Sequence, residues 1–420
     1  MKSEIFDVTV IGGGASGLAA AISAKRSFPE ARVLVIEKND RVGKKLAVTG
    51  NGQCNITNNS FSPDRYHGSP EFASRIIANF DPEKQASFFL SLGLPVAFRQ
   101  DGKAYPMSLQ ASSVVDALRF SAAEAGVNIL CGAKAETPSV RKDGAFFIPA
   151  DEERFISKTL IIACGGEAGG KLGSDDGYRF LSAFGHRITD LRPAIVQLRS
   201  SEPFLRALKG VKVTAALSVD TDKGTINAPA GDLLFCDYGV SGPGVLLLSS
   251  YYGADKPFCI KADLTPYLDG TELLGLLKTK RDFCGTRKTE ELLGGLLQKR
   301  LAQTVLKIGR LSPEMPIGSL SDSELKRVSD ILKSFKINIT GTRGMNDAQV
   351  TAGGADTAEF YEDTLMSRRI PGLFACGEVL NADGDCGGFN LSFAWASGYT
   401  AGLCAADRVR AAQKKTECRI

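Results

Sequence analysis

Hydrophobic and polar residues change rhythm twice within the first forty positions. "IFDVTVIG" (5–12) alternates and then runs apolar, the pattern of a strand buried in a parallel sheet. It leads straight into Gly12-Gly13-Gly14-Ala15-Ser16-Gly17, then into the helix-forming "LAAAISAKRS", and "RVLVIE" (32–37) predicts a second strand. Such a strand, glycine turn, helix and strand predict a dinucleotide-binding opening. Gly12 permits the tight turn, Gly14 lets a pyrophosphate approach the backbone, and Gly17 lets helix and strand pack closely. The helix start at Ala15 and Ser16 offers free N–H groups and a positive dipole end to phosphates. Glu37, twenty residues beyond Gly17, is placed to accept hydrogen bonds from the ribose hydroxyls of an adenosine.

Further along, "ALRFSAAEAG" (117–126) reads as a helix, "VNILCGAKAE" as a strand, and "KTLIIACGG" (158–166) as another strand of the same sheet. From about 191 to 265 the pattern becomes short strands and turns, a β-barrel-like insert. From about 266 to 336 apolar residues recur at helical spacing. "TELLGLLKTKRDFCG", "TEELLGGLLQKRLAQTVLKIG" and "SDSELKRVSDILKSF" read as helices, with a capping signal at Ser321 and Asp322. "PGLFACGE" (371–378) is an apolar strand, and a Gly-rich turn feeds a last helix from about Asn390.

Bulk properties narrow the class. A chain of 420 residues exceeds one ordinary core. Hydrophobic content of 43% and charged content of 23% are ordinary for a folded soluble protein. The longest apolar stretches are glycine-rich, so no membrane span is expected. The N-terminus lacks the regions of a signal peptide. Ten scattered cysteines without a CxxC favour reduced thiols in a cytoplasm over disulfides or zinc. Only His67 and His186 are present, which leaves no support for a His-based metal site, and no metal is expected. Net charge is +4, and residues 271–345 alone carry fourteen Lys or Arg against eight Asp or Glu. A solvated helical face is the ordinary reading of such charge. An RNA-facing surface is the sharper one, unsupported by any RNA-binding motif and less favoured here.

"KNDRVGKKLAVTGNGQCNITN", after Glu37, is too polar and Gly-broken for a regular element. It resembles the "GKK/RL…G-G/N-G-R-C-N-x-T/S-N" segment of the BaiN-like (YhiN-type) FAD-dependent flavoproteins, a two-dinucleotide-binding-type family that also includes aminoacetone oxidases. The resemblance continues through "ACGGEAGGKLGSDDGY" (163–178), "LLFCDYGVSGP" (233–243) and "GLFACGEVLNADGDCGGFNLSFAWASGYTAG" (372–402), from one end of the chain to the other. Gln53 stands where most members have Arg, and Asp237 where many have His. Asn51 and the "DYG" form of the 233–243 segment resemble the aminoacetone-oxidase-like branch.

The resemblance implies an α/β fold. A Rossmann-like FAD-binding domain (1–190) is interrupted by a β-barrel-like insert (191–265) and a small helical bundle (266–336). The chain then returns through the barrel edge into the rest of the FAD domain (337–420). It further implies that Lys38, Arg41, Lys45 and Leu46 lead a loop inward to the flavin ring, with Gly50 and Gly52 allowing close approach. Asn51, Gln53 and Asn55 would offer amides, and Cys54 is either a flavin contact or a small buried hydrophobe. Ala133 and Lys134 would meet adenine, with Gly165 and Gly166 beside the cofactor. Glu378, after Gly377, would hold the ribityl chain. The turn and helix at Gly388, Asn390 and Leu391 would face flavin N1 and the C2 carbonyl, stabilising reduced flavin. Asp237 and Tyr238 are candidate polar groups on the substrate side.

No second GxGxxG follows a strand, so no separate nicotinamide domain is expected. Two routes for electrons remain open. A small amine or alcohol could be oxidised with oxygen as acceptor, or NAD(P)H could visit the flavin transiently to drive reduction of an enone-like small molecule. An rRNA-modifying, dihydrouridine-forming reductase and a non-catalytic flavin-binding protein are the alternatives.

Overall fold

The computed structural model describes residues 4–222, 224–253 and 257–417. β1 (Glu4–Ile11) is buried from its third residue onward and runs into α1 (Ala15–Ser27), and β2 (Val33–Glu37) is buried throughout. β3 (Tyr66–Gly68) is a short strand, and α2 (Ala111–Glu124) precedes β4 (Asn128–Cys131). β5 (Phe146–Ala150) and β6 (Glu153–Ile162) form a hairpin, and α3 (Asp176–Ala183) follows. The chain then builds a second unit from Ala194 to Ala348, and Gln349 returns it to the first.

In that second unit, β7 (Leu198–Ser200), β8 (Lys212–Thr221), β9 (Gly224–Cys236), β10 (Gly239–Ser241) and β11 (Phe258–Asp263) precede three helices. These are α4 (Gly270–Phe283), α5 (Lys299–Ile308) and α6 (Asp322–Lys333), and β12 (Phe335–Thr342) follows. The strands close into a barrel in the order β7-β10-β9-β8-β11-β12, with Leu198 of β7 opposite Thr342 of β12. Closure leaves no free edge. Alternate residues such as Leu217, Val219, Phe235, Ile260 and Ile337 fill the interior.

Two local expectations fail here. The central hairpin is long: β8 has 10 residues and β9 has 13, bent by a register shift between Ala215 and Leu217. The stretch 289–309 is not one helix. A short 3-10 turn at Thr289–Glu291 ends before Gly295, whose φ of 81° stops helix propagation. The helix restarts at Gln298, whose side chain caps the N–H groups of Arg300 and Leu301. Ser321 and Glu324 form a capping box at the start of α6.

The last part of the first unit holds β13 (Leu373–Ala375), β14 (Ala382–Gly384) and α7 (Phe389–Glu417). The main sheet runs β4-β2-β1-β6, all parallel, with β13 parallel to the end of β6 and β5 antiparallel to its start. α7 lies on α1 with almost no side-chain padding. A Cβ on Gly398 or Gly402 would collide with the backbone of Ser16 or Ala20. The run of small residues in α1 thus brings the start of one helix against the body of another.

Candidate functional site: a dinucleotide cradle in the sheet unit

The parallel strands end together at the glycine turn. Gly12 adopts φ 110°, and a Cβ on Gly17 would enter the Gly12 carbonyl. Gly14 caps α1 without any side-chain hydrogen bond, and nothing lies within 4 Å of where its Cβ would be. The first turn of α1 therefore presents its N–H groups to an open space, an anion site by geometry. Glu37 is buried, and its Oε2 accepts from the Gly13 N–H at 2.8 Å while Oε1 accepts from the Asn39 N–H at 2.8 Å. The carboxylate is thereby locked at the sheet edge beside the turn.

Ala133 donates its N–H to the Glu37 carbonyl at 3.1 Å. Lys38 and Lys134 both reach the buried carboxylate of Asp176, at 3.3 and 3.9 Å. Burial works against ionisation of Asp176, yet Ser174, Arg179 and the two lysines hold its carboxyl below the usual carboxylate range. Arg41 is exposed. Nothing in the sequence pattern pointed to Asp176 as the anchor of these lysines.

The polar loop is an irregular 3-10 turn, Leu46–Gly52, in which Gly50 and Asn51 both take left-handed conformations. Cys54, also left-handed, is fully buried, and burial pushes its thiol up to about 12. It behaves as a small hydrophobe. The Asn55 Oδ1 is buried with no partner among the described residues. Just beyond, the loop is riveted to α7: Trp395 Nε1 donates to the Ile56 carbonyl at 2.9 Å, and Asn58 Nδ2 to the Gly387 carbonyl at 2.9 Å.

Lys45 Nζ lies 2.8 Å from Glu378 Oε2, while Glu378 Oε1 accepts the Thr351 N–H at 2.9 Å. Gly165 and Gly166 face this carboxylate, and a Cβ on Gly166 would stand 2.9 Å from Oε1. Gly377 abuts Ser16 and donates its N–H to Ser397 Oγ at 2.9 Å. Gly388, at φ 100°, crosses the loop so closely that a Cβ would lie 2.7 Å from the Thr57 carbonyl and 2.8 Å from Asn55 Oδ1. Asn390 spends its side chain on Gly384, accepting from its N–H at 2.8 Å and donating to its carbonyl at 2.7 Å. Leu391 is half-buried against the core. All the expected cofactor residues thus belong to one unit. Thr351, which braces Glu378 and accepts from the Ala168 N–H at 2.9 Å, carried no signal in the sequence.

Asp237 and Tyr238 belong to the barrel unit, in the turn between β9 and β10. Asp237 is exposed and pairs with Lys209 at 2.6 Å, which holds its carboxyl below the usual range. Arg343 stacks over the Tyr238 ring at 4.6 Å. Burial, and then the neighbouring Cys236, push the Tyr238 phenol up to about 12.

Residues 6–404 match the HI0933-like protein Rossmann domain family. The chain belongs to that family. Over 408 residues it is 36% identical to a 3-dehydro-bile acid delta(4,6)-reductase of Clostridium scindens, covering 96% of this chain and 99% of the relative. It is 29% identical to the ribosomal RNA dihydrouridine synthase of Escherichia coli K12 over 412 residues, 97% and 99% of the two chains. A mutant of E. coli quinol fumarate reductase FrdA shares the fold, with a TM-score of 0.50 at 15% identity over 98% of this chain and 72% of that one. This member of the family is an FAD-dependent oxidoreductase. The cradle fits FAD: among the described residues, the uncapped helix start, the open flanks at Gly14 and Gly52 and the unpartnered Asn55 Oδ1 all suit a polar ligand. Among the described residues no acidic, His or Cys cluster suits a metal, and no helix is long and apolar enough to cross a membrane.

Proposed function

We propose that this flavoenzyme reduces a carbon–carbon double bond conjugated to a carbonyl in a small organic molecule, with NAD(P)H as transient reductant. The carrying observation is the end-to-end relation, at 36% identity, to a protein named as a bile acid delta(4,6)-reductase. When bound, FAD supplies a two-electron hydride carrier. Around it, the start of α1 at Gly14, Ala15 and Ser16 holds the pyrophosphate, and Glu37 takes the ribose hydroxyls. Lys38, Ala133 and Lys134 flank the adenine. Glu378, clamped by Lys45 and Thr351, takes the ribityl hydroxyls. Gly50, Asn51, Gly52 and Asn55 meet the ring edge. The N–H groups from Gly388 to Leu391 would face the bound ring and favour negative charge there. Asp237 and Tyr238 are kept as substrate-side candidates in the barrel. The described cysteines are all free thiols, which suits a reducing cytoplasm.

The test is anaerobic. NADH or NADPH should bleach the flavin within seconds to minutes, and 2-cyclohexenone or a 3-dehydro-delta(4,6) bile acid should restore the oxidised spectrum. Bleaching by aminoacetone, with both nicotinamides inert and peroxide released in air, would replace this reading with a small-amine oxidase.

A further inference from the structure

His67 lies opposite Asp383 in the antiparallel ribbon β3·β14. Strand alternation puts these two on one face, and Tyr66 and Gly384 on the other. Asp385, just past the strand, joins the His67 face: its Oδ1 meets His67 Nε2 at 2.9 Å, and Arg65 Nη1 reaches its Oδ2 at 3.4 Å. Both acids are buried, 4% exposed for Asp383 and 3% for Asp385. The Oδ2 of Asp383 has no partner among the described residues. Burial pushes the Asp383 carboxyl up, opposed by the charge of His67, by backbone hydrogen bonds from Asp383 and Gly353, and by the charge of Arg192. Only Cys386 and Gly387 separate Asp385 from the crossing at Gly388.

A purely structural clamp does not account for this group. The ribbon is already fixed by Asn390 on Gly384 and by Tyr66 Oη, which donates to the Phe389 carbonyl at 2.9 Å. Asp385 adds to that fixation through Arg65 and His67, but a second buried acid on the same face, with Asp383 Oδ2 unpartnered among the described residues, costs stability that the ribbon does not need. A cost of that kind beside a cofactor cradle marks chemistry.

We propose that His67, oriented by Asp385 and backed by Asp383, delivers the proton that accompanies hydride in the reduction. This rests on the enone reading above. The π bond of the substrate breaks as hydride, drawn ultimately from NAD(P)H, forms the C–H bond at the β-carbon. The α-carbon takes a proton as an N–H bond of the His67 imidazolium breaks, leaving neutral imidazole. NAD(P)H and one proton are consumed per double bond. The His67 side chain, 20% exposed, regains its proton from solvent or from Asp383. Asp385 acts as a positioning residue, fixing the ring through Nε2.

The experiment separates half-reactions in the FAD-loaded protein. H67Q and D385N should keep FAD and be bleached by NAD(P)H at the wild-type rate. Reoxidation by 2-cyclohexenone or the 3-dehydro-delta(4,6) bile acid should slow by about 100-fold or more, the scale of lost general-acid catalysis. Wild-type reoxidation should carry a solvent deuterium isotope effect that H67Q lacks. With only two histidines in the chain, 15N-histidine labelling reads the pair directly. The His67 ring should show an Nε2–H tautomer that D385N loses, and His186 should not change. Equal reoxidation rates and isotope effects in all three proteins would overturn the inference alone. Failure of both probes to reoxidise the wild type would overturn the enone reading, and this inference with it.

Discussion

Glu37 is a proposed ribose ligand that the fold already holds in place. Its carboxylate is tied to the Gly13 and Asn39 N–H groups, so it is preset at the end of β2 before any ribose arrives. Glu37→Ala should weaken FAD by roughly 1.5–3 kcal/mol, the scale of hydrogen bonds to a charged group. Fluorescence titration of the apoprotein measures this, and unchanged affinity would remove the ribose role. A second acid has no ligand to wait for. Glu359 accepts from Arg187 N–H at 3.0 Å and pairs with Arg369 and with the buried His186, whose Nε2 meets Ser367 Oγ at 2.9 Å. Burial opposes its charge, but Arg369, Arg187 and His186 hold its carboxyl down to about 2, well below the usual glutamate range. Burial also lowers His186 from 6.5. In both cases the unfolded chain binds more protons, so stability rises with pH across each window. Glu359→Gln should flatten the loss of stability between pH 4.5 and about 2, read by denaturant titration at stepped pH. A parallel pH dependence in variant and wild type would refute that.

α7 is the element on which the site turns. Its first turn is fixed by Asn390 on Gly384 and by Gly388 wedged against the Thr57 carbonyl, so its N–H groups sit where the polar loop ends. Sulfite forms an anionic adduct with flavin and therefore reads this positive end. Gly388→Val forces a side chain onto a φ of 100° and into Thr57 and Asn55. The variant should bind sulfite more weakly while retaining FAD, and equal sulfite affinity would mean the helix start faces elsewhere. In the barrel unit, Ser321→Ala removes the cap of α6 and should lower stability by about 1 kcal/mol, measured by urea unfolding.

For the molecule as a whole, the competing outcome is RNA. Residues 271–345 carry fourteen basic and eight acidic side chains, a net of +6 in a chain whose total is +4. If that surface holds RNA, affinity should fall steeply with salt as counterions are released. Charge reversal of Lys299 and Lys307 should then abolish binding without altering the flavin spectrum. Arg300 is a poorer target, because its guanidinium donates to the Ala207 and Lys209 carbonyls at 3.3 and 3.1 Å and its loss would disturb the barrel unit. The enone reading expects no salt-sensitive RNA binding in a filter assay, and binding that depends on those two lysines would reverse the order of the two functions.

Local pattern by itself determined the cofactor class. The alternating strand, glycine turn and terminal Glu37 are steps of one short βα unit, so their geometry follows from adjacent residues. The long relation to flavoproteins was likewise legible in motifs spread from Gly43 to Gly402. What neighbours in sequence cannot specify is which distant groups meet. Glu378 finds Lys45 and Thr351 only when β13 docks beside β6, and Asp176 gathers Lys38 and Lys134 only across three strand ends. The 13-residue β9 was set by its pairing along β8 in the closed barrel, whereas the helix break before α5 follows from the left-handed Gly295 and the Gln298 cap, a local signal that the helical spacing overrode. His67 was one of two histidines with no motif around it. Only the pairing of β3 with β14, residues 66–68 against 382–384, set it between two buried acids, because a strand register joins positions that no local pattern connects.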